Sequence, residues 1–208
     1  MRERELVTRV VFVRHGETDF PIDRIYCDDR EDPTLNEEGK SQAVRAANRL
    51  KGEDIAALYV SPCARTRMTA KAILAHHAGV HEKIEPNFRE RRFGVWEGLF
   101  FREIEAEYAE NYKAWKKNQA GYRPRGGESV FDVQGRVVPV VEGVVDAHKG
   151  NVVVIVAHVG PIRVMLADAI GLPVDAYRRL QVDPASISIV DYGRSQNNLI
   201  LLNSTGAV

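Results

Sequence analysis

Two cysteines, Cys27 and Cys63, are all that this 208-residue chain contains. So few cannot build a disulfide framework, and both are read as reduced thiols of a cytoplasmic protein. Excess charge is missing too: 29 lysines and arginines stand against 29 aspartates and glutamates. That disfavours a binder relying on bulk positive charge, so no nucleic-acid partner is expected, although a local basic pocket stays open. No apolar run is long enough to span a membrane, and no membrane partner is expected. The first residues, Met1-Arg-Glu-Arg-Glu5, carry both signs and lead into no long apolar region, unlike a secretory signal. Neither Gly-x-Gly-x-x-Gly nor a P-loop occurs, which disfavours a nucleotide-binding oxidoreductase. Repeats and low-complexity segments are absent, and the length suits one domain over residues 1–208.

What is present is an alternation of strands and helices. Residues 10–13 form a short apolar, β-branched run, as expected of a strand buried on both faces of a parallel sheet. The run stops at Arg14-His15-Gly16, where the glycine permits a sharp turn or the close approach of a ligand. Residues 19–34 are polar and read as a loop; a helix follows from Asn36 to Leu50. Residues 55–60 are a second buried strand, 64–77 a helix ended by Gly79, and 83–86 a short third strand. An irregular, arginine-rich stretch covers 88–98, with Gly94 and Gly98 as hinges. One charged helix is expected over 99–117 and a loop over 119–128; residues 99–125 as a whole are read as a lid insertion. A valine-rich helix spans 129–148, with a kink expected at Pro139. The most apolar strand, 151–157, ends at His158 and leads to a helix over 161–170. Two last strands, 186–192 and 199–202, are joined by a turn. This order predicts an α/β fold, a three-layer α/β/α sandwich around a mostly parallel sheet.

Three of these strands end in residues that carry chemistry: Arg14-His15, then Ser61-Pro62 with Arg65 one turn on, then His158. Ligands of open α/β sheets sit beyond the carboxyl ends of the strands, so these groups are expected to share one edge. On its own, Arg14-His15 reads equally well as a surface strand end. Together the residues suit a phosphoryl group. Arginine forks grip phosphate oxygens two at a time, and helix N-termini add positive potential. A neutral histidine can attack phosphorus, while a second one stabilises charge on the transferring oxygens.

Six stretches, in order, resemble the histidine phosphatase superfamily, also called the phosphoglycerate-mutase-like family. They are Arg14-His15-Gly16-Glu17-Thr18, Leu35-Asn-Glu-Glu-Gly39 and Ser61-Pro-Cys-Ala-Arg65-Thr-Arg-Met-Thr69-Ala70. They continue with Glu90-Arg-Arg-Phe-Gly94-Val-Trp96-Glu97-Gly98, Gly126-Gly127-Glu128-Ser129 and Ala157-His158-Val159-Gly160-Pro161-Ile162-Arg163. The resemblance implies the three-layer fold, His15 as phosphorylated nucleophile, Arg14, Arg65 and His158 as phosphate pocket, and Glu90 as proton donor. It extends the candidate phosphate-binding set to Thr18, Arg24 and Val159, and implies neither metal nor cofactor. Two positions depart from the pattern: Pro21 stands where asparagine is common, and Cys27 where glycine is common. Both flank the substrate loop and bear on specificity.

The expectation is a metal-independent phosphomonoesterase of the histidine acid type, working through a phosphohistidine on a small phosphorylated metabolite. Its only expected partner is that substrate, with a homodimer left open. A phosphoglycerate-type mutase with the same residues is the alternative. The chain's end soon after its last strands, without a long tail, and the Phe93-Gly94-Val95-Trp96-Glu97-Gly98 segment favour the phosphatase branch. A non-catalytic phosphate sensor is the alternative of another class. Other residues get plainer readings. Glu97 is the reserve acid, His76, His77 and His81 are solvated at a helix end, and Ser129 caps a helix with Asp132. Trp96, Trp115 and Cys63 are packing residues, and Lys113, Lys116, Lys117, Arg123 and Arg125 either meet anionic groups or form a solvated face.

Overall fold

A computed structural model describes residues 6–25 and 31–206, which leaves Cys27 outside the described residues. Six strands form one sheet: β1 (Thr8–Arg14), β2 (Ile55–Val60), β3 (Glu82–Ile84), β4 (Val152–Ala157), β5 (Ile187–Tyr192) and β6 (Asn197–Ser204). Their spatial order is β3-β2-β4-β1-β5-β6. The pairs among β1 to β4 are parallel, while β5 and β6 add antiparallel neighbours. The sheet is thus mostly parallel, and its antiparallel part is the pair of strands joined by a tight turn.

Side chains alternate across a strand, so a run without polar residues must be covered twice. Val10 and Phe12 enter one core with the α5 helix (Val130–Ala147) and the α6 helix (Val159–Ala169). Val11 and Val13 enter the opposite core with α1 (Glu37–Leu50) and α2 (Ala64–Leu74). All four β1 side chains are fully buried, worth roughly 1.5–3 kcal/mol each. Among the described residues no helix is long and apolar enough to cross a membrane.

Local signals placed most boundaries. Asn36 caps α1 by accepting from Gly39 N–H at 2.7 Å. Ser129 and Asp132 form a reciprocal capping box at α5, which runs unbroken through Pro139. Gly16 turns out to serve helix packing, since a Cβ there would collide with the backbone of Gly39. The helix after His158 starts at Val159, earlier than expected.

The expected single helix over 99–117 is two, α3 (Phe101–Glu107) and α4 (Ala109–Lys117), broken at Tyr108. The reason is aromatic packing. Phe101 stacks on Trp115 with ring centroids 6.0 Å apart, whereas fourteen residues of straight helix would hold them about 21 Å apart. Folded back, the pair joins Trp96, Ile104 and Ile25 in a small core separate from the sheet. Trp96 and Trp115 are therefore packing residues.

Candidate active site

Because β1, β2 and β4 run parallel, Arg14, Ser61 and His158 leave the sheet at one edge. The register continues past the strands: His15 N–H donates to Ala157 O at 3.1 Å, and Ser61 N–H to Val156 O at 3.0 Å. From the other side, Arg14 N–H donates to Ser186 O and Ala185 N–H to His15 O. Arg14 Nη1 donates to Val182 O at 2.8 Å. That turn is braced by Asn203, which accepts from Asp183 N–H and donates to the Asp183 carboxylate.

Hydrogen bonding assigns both histidine tautomers. Gly16 O, 2.8 Å from His15 Nδ1, can only accept, so Nδ1 carries the hydrogen and Nε2 the lone pair. A guanidinium can only donate, so His158 Nδ1 accepts from Arg65 Nη2 at 3.1 Å. The hydrogen of His158 is thus on Nε2, donated to Ser61 Oγ at 2.8 Å. The two rings meet edge to face, centroids 5.2 Å apart. Burial pushes the His15 pKa well below its usual value, and the charges of Arg65 and Arg14 push it further, against a small opposing effect of Gly16 O. Burial, then Arg65, His15, Arg14 and Arg136, do the same to His158. Both imidazoles are neutral at pH 7, in a positive field.

Arg65 lies in the first turn of α2 and is fully buried. Asp32 closes that helix end: both its oxygens lie 2.9 Å from Ala64 N–H, and Oδ1 is 3.7 Å from Arg65 Nη1. Glu90 comes from the irregular stretch before α3. Its Oε1 accepts from Arg91 N–H at 2.7 Å, and its Oε2 from Gly160 N–H at 3.2 Å in the first turn of α6. That bond brings the carboxylate beside the His158 helix. A Cβ on residue 160 would land on Glu90 Oε1, so a side chain there would push the carboxylate aside.

The stretch carrying Glu90 is held by side chains that pattern reading missed. Arg136 of α5 donates to Glu90 O, to Asn87 O and to both Glu128 oxygens. Glu128 also accepts from Arg92 N–H. These arginine bonds and the backbone bond hold the Glu128 carboxyl below its ordinary pKa against the opposing effect of burial, which is the largest single influence. Arg91 reaches Glu128 O and Tyr122 O. The available signal was Arg136, the basic residue of α5, one position before the buried Val137.

His15, His158, Arg65, Arg14 and Glu90 are thus linked through direct contacts or shared strand ends. Thr18 is buried and accepts from Phe20 N–H. Val159 opens α6 and packs on the core. Arg24 is not joined to this group by any contact between described residues. Its Nε donates to Gly98 O, its fork grips Glu31, and it lies over Phe20. Glu97 braces its own loop by accepting from Phe93 and Gly94 N–H.

His77 corrects the expectation of a solvated trio: it is buried, while His76 and His81 are exposed. The turn after α2 folds its ring inward. Cys63 is buried. Lys113 pairs with Glu110 and Arg123 with Asp132, so these two cations face solvent and neighbouring acids.

With this geometry in view, a profile of the histidine phosphatase superfamily (branch 1) matches residues 10–205. Phosphoserine phosphatase 1 of Hydrogenobacter thermophilus is 30% identical over 200 residues, covering 96% of this chain and 93% of that protein. Phosphoglycerate mutase-like protein 4 of Arabidopsis thaliana is 35% identical over 156 residues, covering 74% and 67%. The mycobacterial glucosyl-3-phosphoglycerate phosphatase Rv2419c, solved with VO3, superposes with a TM-score of 0.82 at 30% identity, covering 94% and 99%.

Proposed function

The chain belongs to the histidine phosphatase superfamily (branch 1), and from that premise we propose that it is a phosphomonoesterase of small phosphorylated metabolites that works through a phosphohistidine. One observation carries this reading: a buried, neutral His15 whose Nδ1–H is tied to Gly16 O, leaving the lone pair on Nε2.

In the proposed reaction Nε2 of His15 attacks phosphorus in line. The P–N bond forms as the P–O bond to the leaving group breaks. Arg14 and Arg65 meet the charge on the equatorial oxygens, and His158 serves the pocket by anchoring the Arg65 guanidinium through Nδ1. Glu90 gives its proton to the departing oxygen, then takes one from the water that attacks the phosphohistidine. Phosphate leaves and His15 returns to its neutral form. Thr18 and Val159 line the phosphate end in this scheme. Arg24, tied to Glu31 and Gly98, acts at the substrate-loop side. Residues 99–125 roof the pocket over the aromatic cluster.

Support for the reaction class comes from relatives named as phosphatases, among them the phosphoserine and glucosyl-3-phosphoglycerate enzymes. The mutase-like plant relative keeps the mutase reading as the second one. Both readings need His15, and they part at the fate of the phosphoenzyme. Incubation with 3-phosphoglycerate and 2,3-bisphosphoglycerate should give free phosphate, with 2-phosphoglycerate slow or absent. Isomer formation far outrunning phosphate release would move the protein to the mutase class. A screen of phosphorylated metabolites, read by phosphate release, tests the substrate class. In the same assay His15→Ala should abolish turnover and the acid-labile phosphate label while the fold survives. Normal turnover in that variant would end the phosphohistidine reading, and a wild type that binds aryl phosphate without cleaving it would be a sensor.

A further inference from the structure

Ser61 follows β2, is fully buried, and has no task in the reaction above. Its place is set by the backbone: its N–H donates to Val156 O, and its carbonyl accepts from Thr66 Oγ1 at 2.7 Å. Because Arg65 can only donate to Nδ1, His158 presents its hydrogen on Nε2, and Ser61 Oγ accepts it at 2.8 Å. The one hydroxyl hydrogen of Ser61 is then free to turn toward Cys63 Sγ, 3.7 Å away. Across the ring, Arg65 Nη2 approaches Nδ1 at 3.1 Å. The resulting chain has one direction: Arg65 donates to His158, His158 to Ser61, and Ser61 to Cys63.

We propose that Ser61 is a positioning residue of the phosphoryl pocket. By accepting the Nε2 hydrogen it holds His158 in the tautomer whose Nδ1 lone pair anchors the Arg65 guanidinium. The catalytic consequence, though not the tautomer, rests on the phosphatase reading. Without the hydroxyl, Nε2–H becomes a buried donor with no acceptor opposite it. The ring then favours the hydrogen on Nδ1, where it faces the N–H of Arg65. Two donors cannot share that contact, so Arg65 swings off its mark. Loss of the partner that orients a metal-ligating histidine costs about tenfold to a hundredfold, and a loss of that order is expected for this histidine, which anchors an arginine instead of a metal.

The test uses the full chain with ¹⁵N-labelled histidine and no ligand. Long-range ¹H–¹⁵N spectra report which His158 nitrogen carries the hydrogen in wild type, Ser61→Ala and Ser61→Thr. Wild type and Ser61→Thr should carry it on Nε2. Ser61→Ala should move it wholly or partly to Nδ1, with kcat on an aryl phosphate reduced about tenfold to a hundredfold and largely restored in Ser61→Thr. A merely structural serine would lower the melting temperature without changing the tautomer. A Ser61→Ala protein that keeps the Nε2–H tautomer overturns the assignment whatever its activity. If wild type releases no phosphate at all, the phosphatase reading falls while the tautomer test still decides the role of Ser61. Should Ser61→Ala fail to fold, Ser61→Cys, a poorer acceptor of similar shape, must show the same change in smaller measure.

Discussion

Lowering the pH from 7.5 to 5.5 should destabilise this fold through two side chains, His15 and His158, by at most about 3 kcal/mol, the limit in which neither ring takes up a proton in the folded state. The rings are 4% and 0% exposed, and burial together with the charges of Arg65 and Arg14 holds both pKa values well below 6.5. In the unfolded chain each imidazole recovers a value of about 6.5. Below that pH the unfolded state binds protons that the folded state refuses, so stability rises with pH. The contribution is complete above the unfolded value and is lost as the pH falls through it toward the lower folded values. Each refused proton is worth about 1.4 kcal/mol per pH unit below the unfolded value, so the two rings together set the upper limit at pH 5.5 and contribute almost no loss at pH 7.5. Burial and the charge of Lys83 lower the His148 pKa as well, which acts in the same sense. Carboxylates such as Glu128 and Asp132 are held below their ordinary values and matter only at more acid pH. Urea unfolding followed by circular dichroism, at several pH values without phosphate, measures the slope. A His15→Gln, His158→Gln double variant should lose most of it. A wild type equally stable at both pH values, or a double variant with the full slope, would refute the neutral pair and with it the neutral nucleophile.

Glu90→Gln should lose about a hundredfold to ten-thousandfold on alkyl phosphates and much less on an aryl phosphate, whose leaving group needs little protonation. Equal losses, measured as kcat on the two substrates, would assign Glu90 to binding. Gly160→Ala should reproduce that selective loss, since the new Cβ takes the position of Glu90 Oε1. Its thermal stability should not fall in proportion, because alanine is favoured over glycine in a helix by about 1 kcal/mol; full activity would show that Glu90 works elsewhere. Exhaustive chelation should leave the rate of phosphate release unchanged, and activity restored by magnesium or zinc would contradict the arginine–histidine pocket.

The sequence by itself was enough for the layers and for bringing most of the candidate site residues to one edge. Residues 10–13, 55–60 and 152–157 are too apolar to leave either face uncovered, and parallel strands put their carboxyl ends on one edge. Arg14, His15, Arg65 and His158 could therefore be placed together from motifs far apart in the chain. Three matters were settled by tertiary structure alone. The segment 99–117 has the period of one helix, yet the stacking of Phe101 on Trp115 outweighs local propensity and breaks it at Tyr108. The support of Glu90 by Arg136, Glu128 and Gly160 joins parts of the chain whose separation carries no local signal. Most directly, the sequence names two histidines, but the nitrogen that carries each hydrogen depends on what stands opposite the ring. Gly16 O decides it for His15, and Arg65 with Ser61 decides it for His158. A proton follows its nearest acceptor in space, and only the folded chain brings that acceptor within 3 Å.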